Sequence, residues 1–257
     1  MENIYAGVTI EHSKPVFNWN VDNEAVDILR LANPNYGEVL ISDIPVIYGY
    51  EFKKNASKAD MKVFRDFIKA NALISEDVQQ FVEYGILHLD YIFNLDNLGY
   101  AVHPQSRTGH DIIELMGSWI MEYSDATMSD FELIKEAYKN VTFDAEKAKT
   151  ALRRRNMPER EIERIISEVV YRFDALKQTD KLFEIKMFLP REIRSGFLNY
   201  LKFADEDEKI AYEALQGVDV LVYDDLATSG ATLKEINRYL NAINPKNKLH
   251  SFVLLKQ

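Results

Sequence analysis

The chain has 257 residues, of which 47% are hydrophobic, carries a formal net charge of −10 and contains no cysteine. That size allows one large domain, or one domain with a substantial appendage, around a sizeable core. The missing cysteines exclude disulfides, thiolate catalysis and cysteine-bound zinc, and the acidic balance disfavours a general nucleic-acid binder, which needs clustered Lys and Arg to neutralise phosphates. No run approaches 18 apolar residues, so no membrane span is expected. The N-terminus lacks a basic region followed by an apolar one, so no signal peptide is expected and the protein is placed in the cytoplasm.

Residues 1–55 read as β-rich, with apolar or alternating runs at 4–10, 15–21 and 39–50. A strong turn signal lies at Asn33-Pro34-Asn35-Tyr36-Gly37. A short helix is expected at about 23–31, where Ala25, Val26, Leu29 and Leu31 have rough helical spacing. Tyr5, Phe17, Trp19, Tyr36, Tyr48, Tyr50 and Phe52 crowd this section. Such aromatics serve either sheet packing or a base-binding surface, and packing is the expectation.

Two helices are expected over 57–93. Ser57 caps the first, with Met61, Phe64, Phe67 and Ile68 inward; Ser75 opens the second, with Val78, Phe81, Val82, Ile86 and Leu89 along one stripe. Next comes a strand at 99–103, a loop at 104–109 and a helix at 111–120 with Ile112, Leu115, Met116 and Trp119 inward. Residues 127–180 read as a mainly helical insertion. Ser129 caps a short helix through Tyr138, and longer helices follow at 144–155 and 158–176, the last with Pro158 in its first turn. Lys147, Lys149, Arg153, Arg154 and Arg155 form the one basic cluster, read as a solvated face, with closure over a phosphorylated substrate or contact with nucleic acid as the alternatives. A strand is expected at 183–189, and a helix with an acidic start runs from about 204 to Leu215.

The densest chemistry lies at residues 218–232. An apolar, β-branched run reads as a buried strand, Asp224 and Asp225 follow it, and Leu226-Ala227-Thr228-Ser229-Gly230-Ala231-Thr232 leads into a helix at 233–240. A strand–loop–helix puts its loop at the carboxyl edge of a sheet, where open α/β sheets bind ligands. Small and hydroxyl residues at a helix N-terminus suit a phosphate. The loop is neither GxxxxGK[ST] nor GxGxxG. Carboxylates just ahead of a phosphate cradle repel phosphate but accept hydrogen bonds from sugar hydroxyls, so a ribose 5′-phosphate satisfies both halves. The same pair could help hold Mg2+, which prefers oxygen ligands and keeps several waters. A last strand at 249–255 is expected to lie parallel to the first by a right-handed crossover.

These residues resemble the phosphoribosyl pyrophosphate (PRPP) signature of the type I phosphoribosyltransferases: four apolar residues, two acids, an apolar residue, any residue, then Thr-Ser/Thr-Gly-Ala/Thr-Thr. Val220 to Thr232 match at every position. The layout is closest to ComF-type phosphoribosyltransferase-like proteins, although zero cysteines leave no zinc-binding segment of the kind those proteins usually carry. The resemblance implies an α/β fold with a central, mainly parallel sheet flanked by helices, as one domain at 56–257 that carries the helical insertion, with the β-rich section 1–55 packed on it. It implies that Asp224 and Asp225 hold ribose hydroxyls and, through ribose or water, Mg2+. It assigns Ala227, Thr228, Ser229, Gly230, Ala231 and Thr232 to PRPP, and Gln105, Ser106 and Arg107, in a loop similar to the family's Pro-x-Ser loop, to pyrophosphate.

The implied partner is PRPP or a nucleoside 5′-monophosphate, and a homodimer is compatible with it. The implied reaction moves a phosphoribosyl group between pyrophosphate and a nitrogenous base. The alternative is a non-catalytic PRPP- or nucleotide-binding regulatory module of the same fold; a phosphate hydrolase using the Asp pair on a metal is a third, weaker reading. Purine-salvage members have an aspartate where Thr228 stands, which argues against a 6-oxopurine enzyme. With only two residues beyond Leu255, any hood over the base is expected from 1–55 or from the insertion.

Overall fold

The computed structural model describes residues 6–19, 29–31, 39–41, 44–52, 56–105, 110–124, 129–227 and 230–256. The chain is α/β, with a mixed sheet flanked by helices. It divides into two compact units. The first comprises Met1–Phe131, Gln216–Thr228 and Lys246–Gln257; the second comprises Glu132–Leu215 and Ser229–Pro245.

The first unit opens with a hairpin of β1 (Ala6–Glu11) and β2 (Lys14–Trp19), whose turn holds His12 and Ser13 at positive φ. Strands β3 (Leu29–Leu31) and β4 (Val39–Ile41) both pair antiparallel with β5 (Ile44–Phe52). Helix α1 (Lys58–Asn71) follows, then α2 (Glu76–Phe93), β6 (Leu98–Pro104), α3 (His110–Tyr123) and the start of β7 (Ser129–Lys135). Numbering the later strands β11 (Asp219–Ala227) and β12 (Lys248–Lys256), the sheet order here is β7-β6-β11-β12-β5-β3. The centre is parallel: β6 with β11, β11 with β12, and β12 with β5. The carboxyl ends of these four strands therefore share one edge.

Alternation along the strands sends one face into the helices. Leu221, Tyr223, Phe252 and Leu254 pack with Phe64, Ile68, Phe81, Val82, Ile112 and Met116. The expected caps are present: the Ser57 hydroxyl accepts from the Asp60 amide at 3.0 Å and that of Ser75 from the Val78 amide at 3.4 Å. Tyr48, Tyr50 and Phe52 are buried, Tyr50 stacks on Phe81 at 3.9 Å, and Phe17 contacts Phe64, Phe67 and Phe81. Packing thus accounts for these four aromatics. Tyr5, Tyr36 and the Trp19 side chain lie outside the described residues. The helix expected at 23–31 is corrected at its described end, where the backbone of 29–31 pairs antiparallel with Tyr50–Phe52 of β5.

The second unit contains the rest of β7, whose Leu133, Ile134 and Lys135 pair antiparallel with β10 (Leu201–Phe203). It also holds β8 (Thr142–Phe143), α4 (Ala145–Arg153), α5 (Glu159–Lys177), β9 (Phe197–Leu198), α6 (Glu206–Ala214) and α7 (Ala231–Ile243). Two expectations are overturned. Residues 129–135 are strand, not helix: Phe131 and Leu133 alternate with half-buried or exposed neighbours, a period of two. Residues 183–189 form no strand but a 3-10 turn at Ile185–Met187, because Phe183 and Phe188 both turn inward. With Tyr138, Phe173 and Phe197 they build an aromatic core at centroid spacings of 4.4 to 6.4 Å. Buried Glu235 is held by Arg238 at 2.8 Å and by the Asn199 amide at 2.5 Å.

Candidate functional site

Strand β11 does not end before the acidic pair. It runs to Ala227, and Asp224, Leu226 and Ala227 still pair with Val253, Leu255 and Lys256 of β12. The apolar run Phe252–Leu255 carries the ladder to the edge. In-strand side chains alternate in direction, yet the Asp225 side chain still hydrogen-bonds the Asp224 carboxyl, so the two acids stay in contact on β11.

Asp225 points to the helical side and is only 7% exposed. There its Oδ2 is ion-paired with the ammonium of Lys69, in the last turn of α1. Asp224 is half-buried, and its Oδ1 accepts a hydrogen bond from the Asp225 amide at 2.8 Å. Burial first, and the neighbouring Asp225 charge second, push the Asp224 carboxyl well above the usual carboxylate range; Lys69 pulls weakly the other way. Among the described residues, the Lys69 ammonium is the cation that faces the two carboxylates.

One residue earlier, Tyr223 is fully buried and donates its hydroxyl to Asp130 Oδ2 at 2.6 Å. Burial and the Asp130 charge raise that phenol well above its usual value. His103, near the end of β6, sets Nε2 3.8 Å from the same carboxylate oxygen. Gly117 of α3 makes room for this group, since a Cβ there would lie 2.8 Å from the Tyr223 hydroxyl and 3.0 Å from Asp130 Oδ2.

The other predicted positions are distributed as follows. Gln105 is exposed, directly after β6; Ser106 and Arg107 lie outside the described residues. β6 and β11 are parallel neighbours with Val102 opposite Val222, so the strand ends that precede the two candidate loops emerge side by side. Ala227, 4% exposed, closes β11, and Thr228 and Ser229 lie outside the described residues. In the second unit, Gly230 sits at φ 68° immediately before α7, a left-handed conformation that favours glycine. Among the described residues no side chain caps that helix, and Ala231 and Thr232 form its first turn. Of the basic cluster, Lys149 is paired with Glu146 and Glu163, Arg153 with Glu159, and Arg155 with Glu192.

Lys69 and Asp130 escaped sequence reasoning. Lys69 follows the inward Ile68 and looks like a routine cation at a helix C-terminus, and nothing local names its distant partner. Asp130 was hidden by the helical reading of its segment. Among the described residues no three His, Asp or Glu side chains converge as a metal site, and no helix is long and apolar enough to cross a membrane. No protein-family model matches the chain, and no curated protein matches it.

Proposed function

We propose that this protein is a phosphoribosyltransferase of the type I fold class that binds PRPP with Mg2+ and exchanges pyrophosphate for a nitrogenous base at C1′, in the cytoplasm. The observation that carries the reading is the parallel pairing of β6 with β11. It brings the strand end before Pro104-Gln105-Ser106-Arg107 beside the strand end that carries Asp224 and Asp225. A ligand with a ribose flanked by two phosphoryl groups needs this kind of juxtaposition. The glycine turn at the start of α7 suits the 5′-phosphate, which this reading assigns to Thr228, Ser229, Gly230, Ala231 and Thr232.

The carboxylates divide the work. Half-buried Asp224 has the accessible surface for a ribose hydroxyl, and a hydroxyl donor or a nearby cation stabilises its charged form. Asp225 supports from beneath. The carboxylate oxygens of Asp224 and Asp225 would suit Mg2+, and the chemistry such an ion would supply is neutralisation of charge on the leaving pyrophosphate. In the transfer, the base nitrogen forms a bond to C1′ as the C1′–O bond to pyrophosphate breaks and its electron pair leaves with pyrophosphate. The protein's share is positioning and electrostatic stabilisation.

The test is calorimetric titration of PRPP with Mg2+, paired with pyrophosphate release across a panel of bases. Binding that weakens at least tenfold in Asp224→Asn, together with pyrophosphate release from at least one base, is expected. Tight PRPP binding without release from any base would leave a regulatory binding module of the same fold. Failure of both PRPP and nucleoside monophosphates to bind would end the reading.

A further inference from the structure

The ion pair between Lys69 and Asp225 sits where the proposed ligand has to arrive. Asp225 is 7% exposed and the Lys69 side chain 22% exposed. Neither is an ordinary surface charge. β6 and β11 pair in parallel as far as Val102 and Val222, and one residue further on the His103 and Tyr223 rings lie 5.3 Å apart. Neighbouring strands lie about 4.8 Å apart. The Lys69 ammonium thus sits on the second acid of β11, the strand next to β6, which leads into the candidate pyrophosphate loop.

We propose that Lys69 is a counter-ion that changes partner: it neutralises Asp225 in the free protein and turns to the polyphosphate oxygens when ligand binds. The proposal rests on the phosphoribosyl reading for the ribose but needs only a polyphosphate for the lysine. Three features support it. The ammonium reaches the pair on a flexible four-carbon stem, so it can swing by several ångströms without moving α1. A dianionic phosphoryl group outcompetes a single carboxylate for a lysine, and the hydrogen bond it makes is charge-assisted. Asp225, once released, is free to accept a hydrogen bond or face a cation brought by the same ligand. Because an unpaired buried carboxylate is costly, the exchange requires that a hydroxyl of the ligand or its accompanying cation take the place of Lys69 on Asp225.

Asp225 is then both a support for the ribose end and a competitor for Lys69. This gives opposite effects for two halves of one ligand. Inorganic pyrophosphate, which has no ribose, binds several-fold more tightly to Asp225→Asn than to the natural protein, because its lysine is already free. It binds about tenfold more weakly to Lys69→Gln, as expected for one lost charge-assisted contact. In the double variant the gain from Asp225→Asn disappears. PRPP weakens in all three, and Lys69→Arg restores part of the pyrophosphate affinity. Circular dichroism and thermal melts accompany each titration, so that only folded variants are compared.

A purely structural ion pair would change melting temperature in both single variants with pyrophosphate affinity unmoved, and that result overturns the proposal. So does a pyrophosphate gain in Asp225→Asn that survives Lys69→Gln. If the crossed pyrophosphate pattern holds but PRPP binds no better than pyrophosphate, the counter-ion exchange stands and the phosphoribosyl reading falls. If PRPP binds and its affinity depends on Asp224 while pyrophosphate ignores Lys69, the reverse holds.

Discussion

At the residue scale the consequential group is Asp224. A carboxyl whose native value is raised prefers its proton in the folded state. Its contribution to stability is fully present below the unfolded value, about 4, and is lost as pH rises through the raised native value. Asp224→Asn removes the titration while its side-chain oxygen still accepts from the Asp225 amide. The ligand-free variant should therefore melt higher than the natural protein at pH 7–8, with the difference shrinking as pH falls toward 4. Thermal melts across that range check it; a variant that is less stable at pH 8 than at pH 4, relative to the natural protein, would reverse the sign. The same variant loses PRPP affinity, so this position trades stability for binding.

At the element scale, the caps and turns show how local chemistry combines with distant partners. Ser57 and Ser75 were legible as caps because the bonds they make lie three residues away. Asn244 stands directly before Pro245, a pair that in sequence marks only a turn. In the structure it is 5% exposed, and its amide donates to the carbonyls of Leu215 at 2.7 Å, Glu213 at 3.3 Å and Tyr212 at 3.4 Å. It satisfies the orphan acceptors at the end of α6 from another helix's terminus. Asn244→Ala should cost about 1–3 kcal/mol in chemical denaturation, and Asn244→Asp at least as much, since a carboxylate would face those carbonyls. A loss under about 0.5 kcal/mol, the usual size for a surface change, would show that water replaces the amide. The misread segment at 129–135 belongs at this scale as well. Ser129 looked like a cap, but a serine before an apolar stretch opens a strand as readily when the inward positions repeat every two residues.

At the scale of the whole molecule, each unit has its own core. The first is built from leucine, isoleucine, valine and aromatic residues between sheet and helices. The second contains a cluster of rings, with Phe173 touching Tyr138, Phe183, Phe188 and Phe197. Truncating Phe173 to Ala should cost about 3–5 kcal/mol. Hydrogen exchange should show protection lost from α4 and α5 while α2 and β12 keep theirs, as expected for separate cooperative units. Uniform loss across both units would instead mean that the chain unfolds as one body.

The sequence by itself determined the elements with strong local signatures. These are the apolar strands β5, β6, β11 and β12, the amphipathic helices α1 to α5, and the glycine turn into α7, because propensity, periodicity and positive φ act within a few residues. It also marked Asp224, Asp225 and the Thr228–Thr232 stretch, since their chemistry is legible in order along the chain. Only the tertiary structure decided that the acids lie inside a strand, because the ladder that extends β11 to Ala227 is supplied by β12. Only it decided that Lys69 meets Asp225 and that Asp130 receives the Tyr223 hydroxyl. Such pairings depend on which strands and helices become neighbours, and residues far apart in the chain leave no mark of that choice on their local sequence.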